Sequence, residues 1–307
     1  MNEMVLTMKQ VEKRYRNVPV LQNITMNIPK GAIYGLVGNN GAGKSTLMRL
    51  VSGQSCMDRG EIRLFGKIPE GKEQRVRHRI GTLIEEPGFY GELSAAQNLE
   101  YYRLQYGIPE KDSIDRLLDI VGLGHTGKKK YRNFSMGMKQ RLGLALALLP
   151  SPEFLILDEP INGLDPEGIL EIRNTLLQLN RENGITLLIS SHILAELENV
   201  ATEYGFLSRG KLLEQITAKD LKDKCGTCIL LEVGDPAQMS VILEKELGIT
   251  EYKLYPDGHF SVSAPPEKKE AISRAAVQHG ISLHSISAQT MELEDYYMNL
   301  MGGEVNA

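Results

Sequence analysis

Cysteine is scarce, with three among 307 residues. That scarcity excludes a disulfide-built scaffold. Cys225 and Cys228 form a CxxC, but a zinc site would need two further ligands near by in space. The segment runs directly into CILLEV, which reads as a strand, whereas a redox pair prefers the start of a helix. Two ordinary reduced thiols are expected. An excess of base is also lacking: the formal net charge is -4, which provides no nonspecific draw on nucleic acid, and no nucleic-acid partner is expected. No apolar run approaches the ~20 residues that span a bilayer, and MNEMVLTMKQ lacks the long apolar stretch of a cleavable signal. The chain is therefore expected in the cytoplasm, with any membrane role reached through another protein. Internal repeats and long low-complexity tracts are missing as well.

What is present is enough chain for roughly two domains with separate cores. Short apolar runs, MVLTM, VLQNITMNI and AIYGLV, are punctuated by Lys, Asn, Pro and Gly and read as strands. A helical pattern follows, in which Leu47, Met48, Leu50 and Val51 can share a face. From about 92 to 150 the pattern is mostly helical, broken by Gly107, Pro109 and Gly122. Then FLIL, the helix around ILEIRNTLLQLN and ITLLIS give the order of parallel strands with a crossover helix. Beyond about 217 the order becomes βαββαβ, the pattern of a ferredoxin-like split βαβ unit, with Asp257-Gly258 as its hairpin turn. LEDYYMNLM reads as a last amphipathic helix.

The densest chemistry lies in Gly38-Asn39-Asn40-Gly41-Ala42-Gly43-Lys44-Ser45-Thr46, a full G-x-x-x-x-G-K-S between a predicted strand and a predicted helix. Glycines there let successive N–H groups face phosphate oxygens, Lys44 reaches the β and γ phosphates, and the Ser45 hydroxyl can ligate magnesium. A second element, FLILDEP, ends a buried strand in two carboxylates. Asp158 can hold the magnesium, directly or through water, and Glu159 can polarise the water that attacks the γ phosphate. ATP and Mg2+ are the implied ligands.

Three further segments narrow the field. NFSMGMKQRLGLALALL resembles the signature helix of ABC cassettes, INGLD after DEP is similar to that family's D-loop, ending in Asp165, and SSH at 190 to 192 resembles its histidine switch. All stand in family order, and the resemblance covers residues 1 to about 217. It implies that Ser135 and Gly137 serve the nucleotide held by a second cassette, so that each phosphate loop faces its partner's signature. Ser135 has a simpler role available as a helix cap. His192 is implied as a γ-phosphate partner, against the alternative of an ordinary core or surface histidine. Tyr15 matches the aromatic position that stacks on adenine, against a buried strand tyrosine. Glu85, in IGTLIEEPGFY, stands where the family usually has a glutamine. It keeps an oxygen for magnesium or water but loses the amide donor. Met136 and Met138 replace Gly and Gln of the commonest signature, LSGGQ; FSMGMKQR is similar to the type in bacterial drug, bacitracin and lantibiotic exporters.

The expected architecture is α/β: a P-loop NTPase ABC cassette with mixed sheet and helical subdomain at 1–217, and a small α+β ferredoxin-like accessory domain at 218–307. The expected activity is ATP hydrolysis energising an ABC exporter. The implied partners are a second cassette and a separately encoded transmembrane permease, which would hold the chain peripherally on the inner face of the membrane. The competing reading is a soluble ABC ATPase in cofactor assembly or another remodelling role.

Overall fold

The computed structural model describes residues 3–85, 87–110, 113–224, 227–255, 258–290, 296–297 and 300, with the backbone alone at 227, 289 and 290. It divides into two compact units, Met1–Ala218 and Lys219–Ala307.

The first unit opens with a hairpin of β1 (Met4–Tyr15) and β2 (Val18–Pro29). Arg16 and Asn17 close it with φ of 47° and 68°, the two left-handed residues that match the twist of paired strands. β1 is thus longer than the apolar run MVLTM suggests, because the polar stretch KQVEKRY continues the ladder through register shifts. β3 (Ile33–Val37) then enters a separate sheet, and β4 (Arg59–Leu64) returns to pair with the free side of β1. This small sheet has the order β2-β1-β4 and is antiparallel.

The larger sheet adds β5 (Ile80–Leu83), β6 (Phe154–Asp158), β7 (Thr186–Ser191), β8 (Glu203–Ser208) and β9 (Lys211–Thr217). Its order is β5-β6-β7-β3-β8-β9, parallel throughout except for β9, which runs antiparallel beside β8. IYGLV, FLIL and TLLISS are buried along their length, as expected of parallel strands covered on both faces. One geometric consequence governs the site. The carboxyl ends of β3, β6 and β7 lie at one end of the sheet, so the loops after Val37, Asp158 and Ser191 emerge together.

Helix α1 (Lys44–Ser52) follows β3. Between β5 and β6 lie α2 (Ala95–Gln105), α3 (Ser113–Ile120) and α4 (Met136–Leu148). The stretch from 92 to 150 is mostly helical and is broken where its pattern suggests, at Gly107 and Gly122, both at positive φ. α2 starts with a reciprocal capping box between Ser94 and Gln97. α5 (Pro166–Asn183) connects β6 to β7, and the short α6 (Leu194–Glu198) follows β7. α7 (Ala218–Lys224) follows β9.

The second unit contains β10 (Thr227–Val233), α8 (Pro236–Lys245), β11 (Tyr252–Leu254), β12 (His259–Ser263), α9 (Lys268–Gln278) and β13 (Leu283–Thr290). Its antiparallel sheet has the order β11-β12-β10-β13, the arrangement of a split βαβ pair. Alternation along β10 and β12 buries Ile229, Leu231, Phe260 and Val262 against Met239 and Leu243 of α8 and Ile272 and Ala276 of α9. Cys228 is a buried free thiol. Cys225 lies outside the described residues, as do Asp257 and most of LEDYYMNLM. Gly258 carries φ of 91°, and its N–H bonds the Tyr255 carbonyl.

Candidate nucleotide site

The phosphate loop leaves β3 at Gly38, where a Cβ would lie 2.5 Å from the carbonyl oxygen of Leu207. Only glycine fits that passage. Gly41 and Gly43 carry φ of 82° and 110°, which turns the chain back on itself. The Ala42 N–H bonds the Asn39 carbonyl at 3.0 Å, while Asn40 is exposed. Gly43 is the N-cap of α1 and offers no capping side chain, so the N–H groups of this helix start are left for a ligand. Lys44 is buried, and its Nζ donates to the Gly38 carbonyl at 2.6 Å. Ser45 and Thr46 are partly buried on the first turn of α1.

Asp158 and Glu159 leave the end of β6. The fully buried Ser190 hydroxyl donates to Asp158 Oδ1 and accepts from the Glu159 N–H at 2.9 Å. Glu159 itself has φ of 48°. Its carboxylate is surrounded by donors: Lys44 Nζ lies 3.4 Å from Oε1, and Asn162 Nδ2 donates to Oε2 at 3.0 Å. His192 Nδ1 is buried and comes within 3.2 Å of Oε2 without hydrogen-bond alignment. The turn that carries His192 is pinned by Ser191, whose hydroxyl accepts from the Ile193 N–H and donates to Glu196. Lys44, Asp158, Glu159 and His192 are therefore brought together from three separate strand ends.

Glu85 borders the same region. It shares with Lys139, Gln140, Asp158, Glu159 and Asn162 the wall of a cavity of ≈ 220 Å³. Its carboxylate, 70% exposed, accepts from Arg49 Nη2 of α1 at 2.7 Å. Ser135, Gly137 and Asp165 gather elsewhere, in a depression of ≈ 470 Å³ that also includes Met136 and Arg141. Ser135 caps α4 by accepting from the Met138 N–H at 3.3 Å, and Asp165 caps α5 by accepting from the Gly168 N–H at 3.1 Å. At Gly137 an added Cβ would meet Leu164 Cδ2 at 3.7 Å, an ordinary van der Waals contact. Tyr15 is exposed at the end of β1, its hydroxyl 3.4 Å from Ser55 Oγ and its ring 5.0 Å from Lys13 Nζ.

Sequence reasoning assigned no role to Ser190, Asn162 or Arg49. Ser190 and Asn162 stand inside segments singled out for other residues. Nothing in the helical pattern of α1 marks Arg49 as the partner of a residue 36 positions away.

The sequence of known families agrees with this geometry. The family model described as ABC transporter matches residues 21–162. The bacitracin transport ATP-binding protein BcrA of Bacillus licheniformis is 38% identical over 97% of this chain and 98% of its own length. The chain belongs to the ABC transporter ATP-binding family. Within it, the lantibiotic transport ATP-binding protein SrtF of Streptococcus pyogenes is 42% identical over 74% of this chain and 99% of its own length. Among solved structures, cbiO1 from Clostridium perfringens, part of the ABC transporter complex cbiONQ, superposes with a TM-score of 0.66. It is 25% identical, over 80% of this chain and 97% of that one. The first unit is accordingly an ABC cassette of the P-loop NTPase fold, and the chain is an ATP-binding ATPase of that family. Among the described residues, no helix is long and apolar enough to cross a membrane.

Proposed function

We propose that this ABC ATPase energises the export of an antimicrobial peptide or drug through a separate transmembrane permease. The observation that carries the reading is the likeness to the bacitracin transport ATP-binding protein across 97% of the chain, which spans both units. Attachment to the permease would hold the chain on the cytoplasmic face of the membrane. The unit from Lys219 onward carries no phosphate loop, and its role is accessory to hydrolysis.

The reaction is assigned to the cluster at the strand ends. Lys44 and the open N–H groups of α1 bind the β and γ phosphates, and Tyr15 offers its exposed ring to the adenine. Glu159 accepts a proton from the attacking water, and His192 donates to the γ phosphate. Charge developing on the γ-phosphate oxygens needs donors on its far side. The start of α4, with Ser135 and the backbone at Gly137, supplies them from a second copy of the cassette, with Asp165 shaping the same depression.

The donor set also fits a magnesium ion. Ser45 and Asp158 offer hard oxygen ligands, with Glu85 at the border of the same cavity. Among the described residues, no group of three His, Cys, Asp or Glu forms a protein cage. Hydroxyl and carboxylate oxygens suit a magnesium ion that completes its shell with phosphate oxygens and water. When bound, such an ion neutralises charge on the β and γ phosphates.

The test is reconstitution of the chain with its native membrane partner in lipid vesicles, measuring ATP turnover and uptake of bacitracin or a lantibiotic. Turnover stimulated by the peptide and abolished with Glu159→Gln is expected. A chain recovered without any polytopic partner, and active on ATP only in soluble assemblies, would defeat the export reading.

A further inference from the structure

Glu159 occupies a backbone conformation that its own sequence opposes. A positive φ is unfavourable for any residue with a Cβ, and Glu159 also precedes Pro160, whose ring drives the residue before it toward extended geometry. Something outside the segment must hold it. The parallel ladder of β6 and β7 ends at the pair Asp158 and Ser190, so the next N–H, that of Glu159, has no backbone carbonyl in register. The Ser190 hydroxyl takes that N–H at 2.9 Å and sends its single proton to Asp158 Oδ1. A hydroxyl has one donor and two acceptor positions. Both bonds are therefore mutually compatible, and together they fix the rotor in a site that is 0% exposed.

A second restraint acts on the other end of the same residue. The chain turns after Pro160, with the Asn162 N–H bonding the Glu159 carbonyl at 3.2 Å. That turn brings Asn162 Nδ2 to 3.0 Å from Glu159 Oε2. Asn162 carries an amide, which has no charge to gain or lose. Its amide can orient the carboxylate without altering its charge.

We propose that Ser190 and Asn162 are positioning residues for Glu159, the serine fixing its backbone and the asparagine its carboxylate. The inference rests on Glu159 being the general base, and the experiment separates the two ideas. ATP turnover of the full-length chain, alone and with its membrane partner, is measured for Ser190→Ala, Ser190→Thr, Asn162→Ala and Glu159→Gln, and for Ser190→Ala combined with Glu159→Gln. Because misplacing a reacting group by ~1 Å can cost about 10²-fold, Ser190→Ala is expected to lower kcat by roughly 10–100-fold with KM for ATP held within about threefold. Ser190→Thr, which keeps the hydroxyl, recovers most of the rate. Asn162→Ala, at an exposed position where folding is not at stake, loses about threefold to tenfold, the scale of one hydrogen bond.

The double variant decides the route of the effect. Ser190→Ala should lower turnover no further once Glu159→Gln is in place, because the group it positions has been removed. An equal fractional loss in both backgrounds, or a shift in the magnesium dependence of Ser190→Ala, would assign Ser190 to folding or to Asp158 and overturn the proposal. Wild-type turnover in Asn162→Ala would overturn the carboxylate half, even if Ser190→Ala failed to fold. Wild-type turnover in Glu159→Gln would instead refute Glu159 as the base.

Discussion

The starts of α1 and α4 are both expected to face phosphate, and they are built in opposite ways. At α1 the cap is Gly43, with φ of 110° and no capping side chain, and the next residue is the buried cation Lys44. At α4 the cap is Ser135 in an extended conformation, already bonded to the Met138 N–H, and no cation occupies the first two positions, Met136 and Gly137. A helix start with no internal partner and a charge beside it can hold a phosphate by itself. One that has satisfied a donor internally and adds only dipole is suited to complete a site that another element has filled. On the composite site proposed above, the difference makes a single chain an unequal pair of half-sites, one for affinity and one for turnover.

The comparison breaks most visibly through the carboxylates. Glu159→Gln, beside the phosphate loop, should reduce hydrolysis by roughly 10²–10⁴-fold while ATP binding persists, since an amide keeps the size but cannot accept the proton. The same chemical change at the other half-site, Asp165→Asn, should leave turnover within about threefold, because asparagine caps a helix as well as aspartate does. Parallel steady-state assays check both, and comparable losses would erase the distinction.

Affinity should sharpen it next. Lys44→Ala removes a charged phosphate donor, so Kd for ATP on the isolated chain should rise about 10–100-fold. Ser135→Ala should leave that Kd unchanged and act on turnover of the paired cassettes alone. Titration calorimetry with the isolated chain distinguishes them, and a weakened Kd in Ser135→Ala would show that its helix start binds nucleotide in cis.

The smallest effect is on stability and runs in the reverse direction. Ser135→Ala loses a real cap, at a cost of about 1 kcal/mol in denaturant unfolding. At α1 there is no side-chain cap to lose. If Ser135→Ala unfolds at the wild-type denaturant midpoint, its hydrogen bond to Met138 has no weight in the fold.

How much of this was legible depended on how far apart the participating residues stand. The phosphate loop is contiguous, its strand and helix flank it, and Gly41 and Gly43 answer a local demand of the backbone, so Gly38 to Thr46 could be read directly. The apolar run of β10 and the alternation of β12 were readable for the same reason. β5 was not, since IGTL gives only four residues for a pattern. The polar continuation of β1 was hidden because its pairing partners, not its own composition, extend it. The arrangement around Glu159 was out of reach altogether. Its backbone bond comes from a residue 31 positions away, and its left-handed φ contradicts what a glutamate before proline prefers. Likewise, Glu85 could be placed just after IGTL, but its ion pair with Arg49 depends on how the edge strand meets α1.

The contact between Lys44 and Glu159 has a consequence for anyone screening this chain. One ammonium stands 3.4 Å from a carboxylate of the same molecule, so an incoming phosphate competes with an anion tethered beside the amine. Linkage requires the reverse as well: removing the Glu159 charge while Lys44 is kept strengthens ATP binding. Variants ranked by how tightly they retain nucleotide would thus enrich for loss of the Glu159 charge, and the best binders in such a library would be its poorest catalysts.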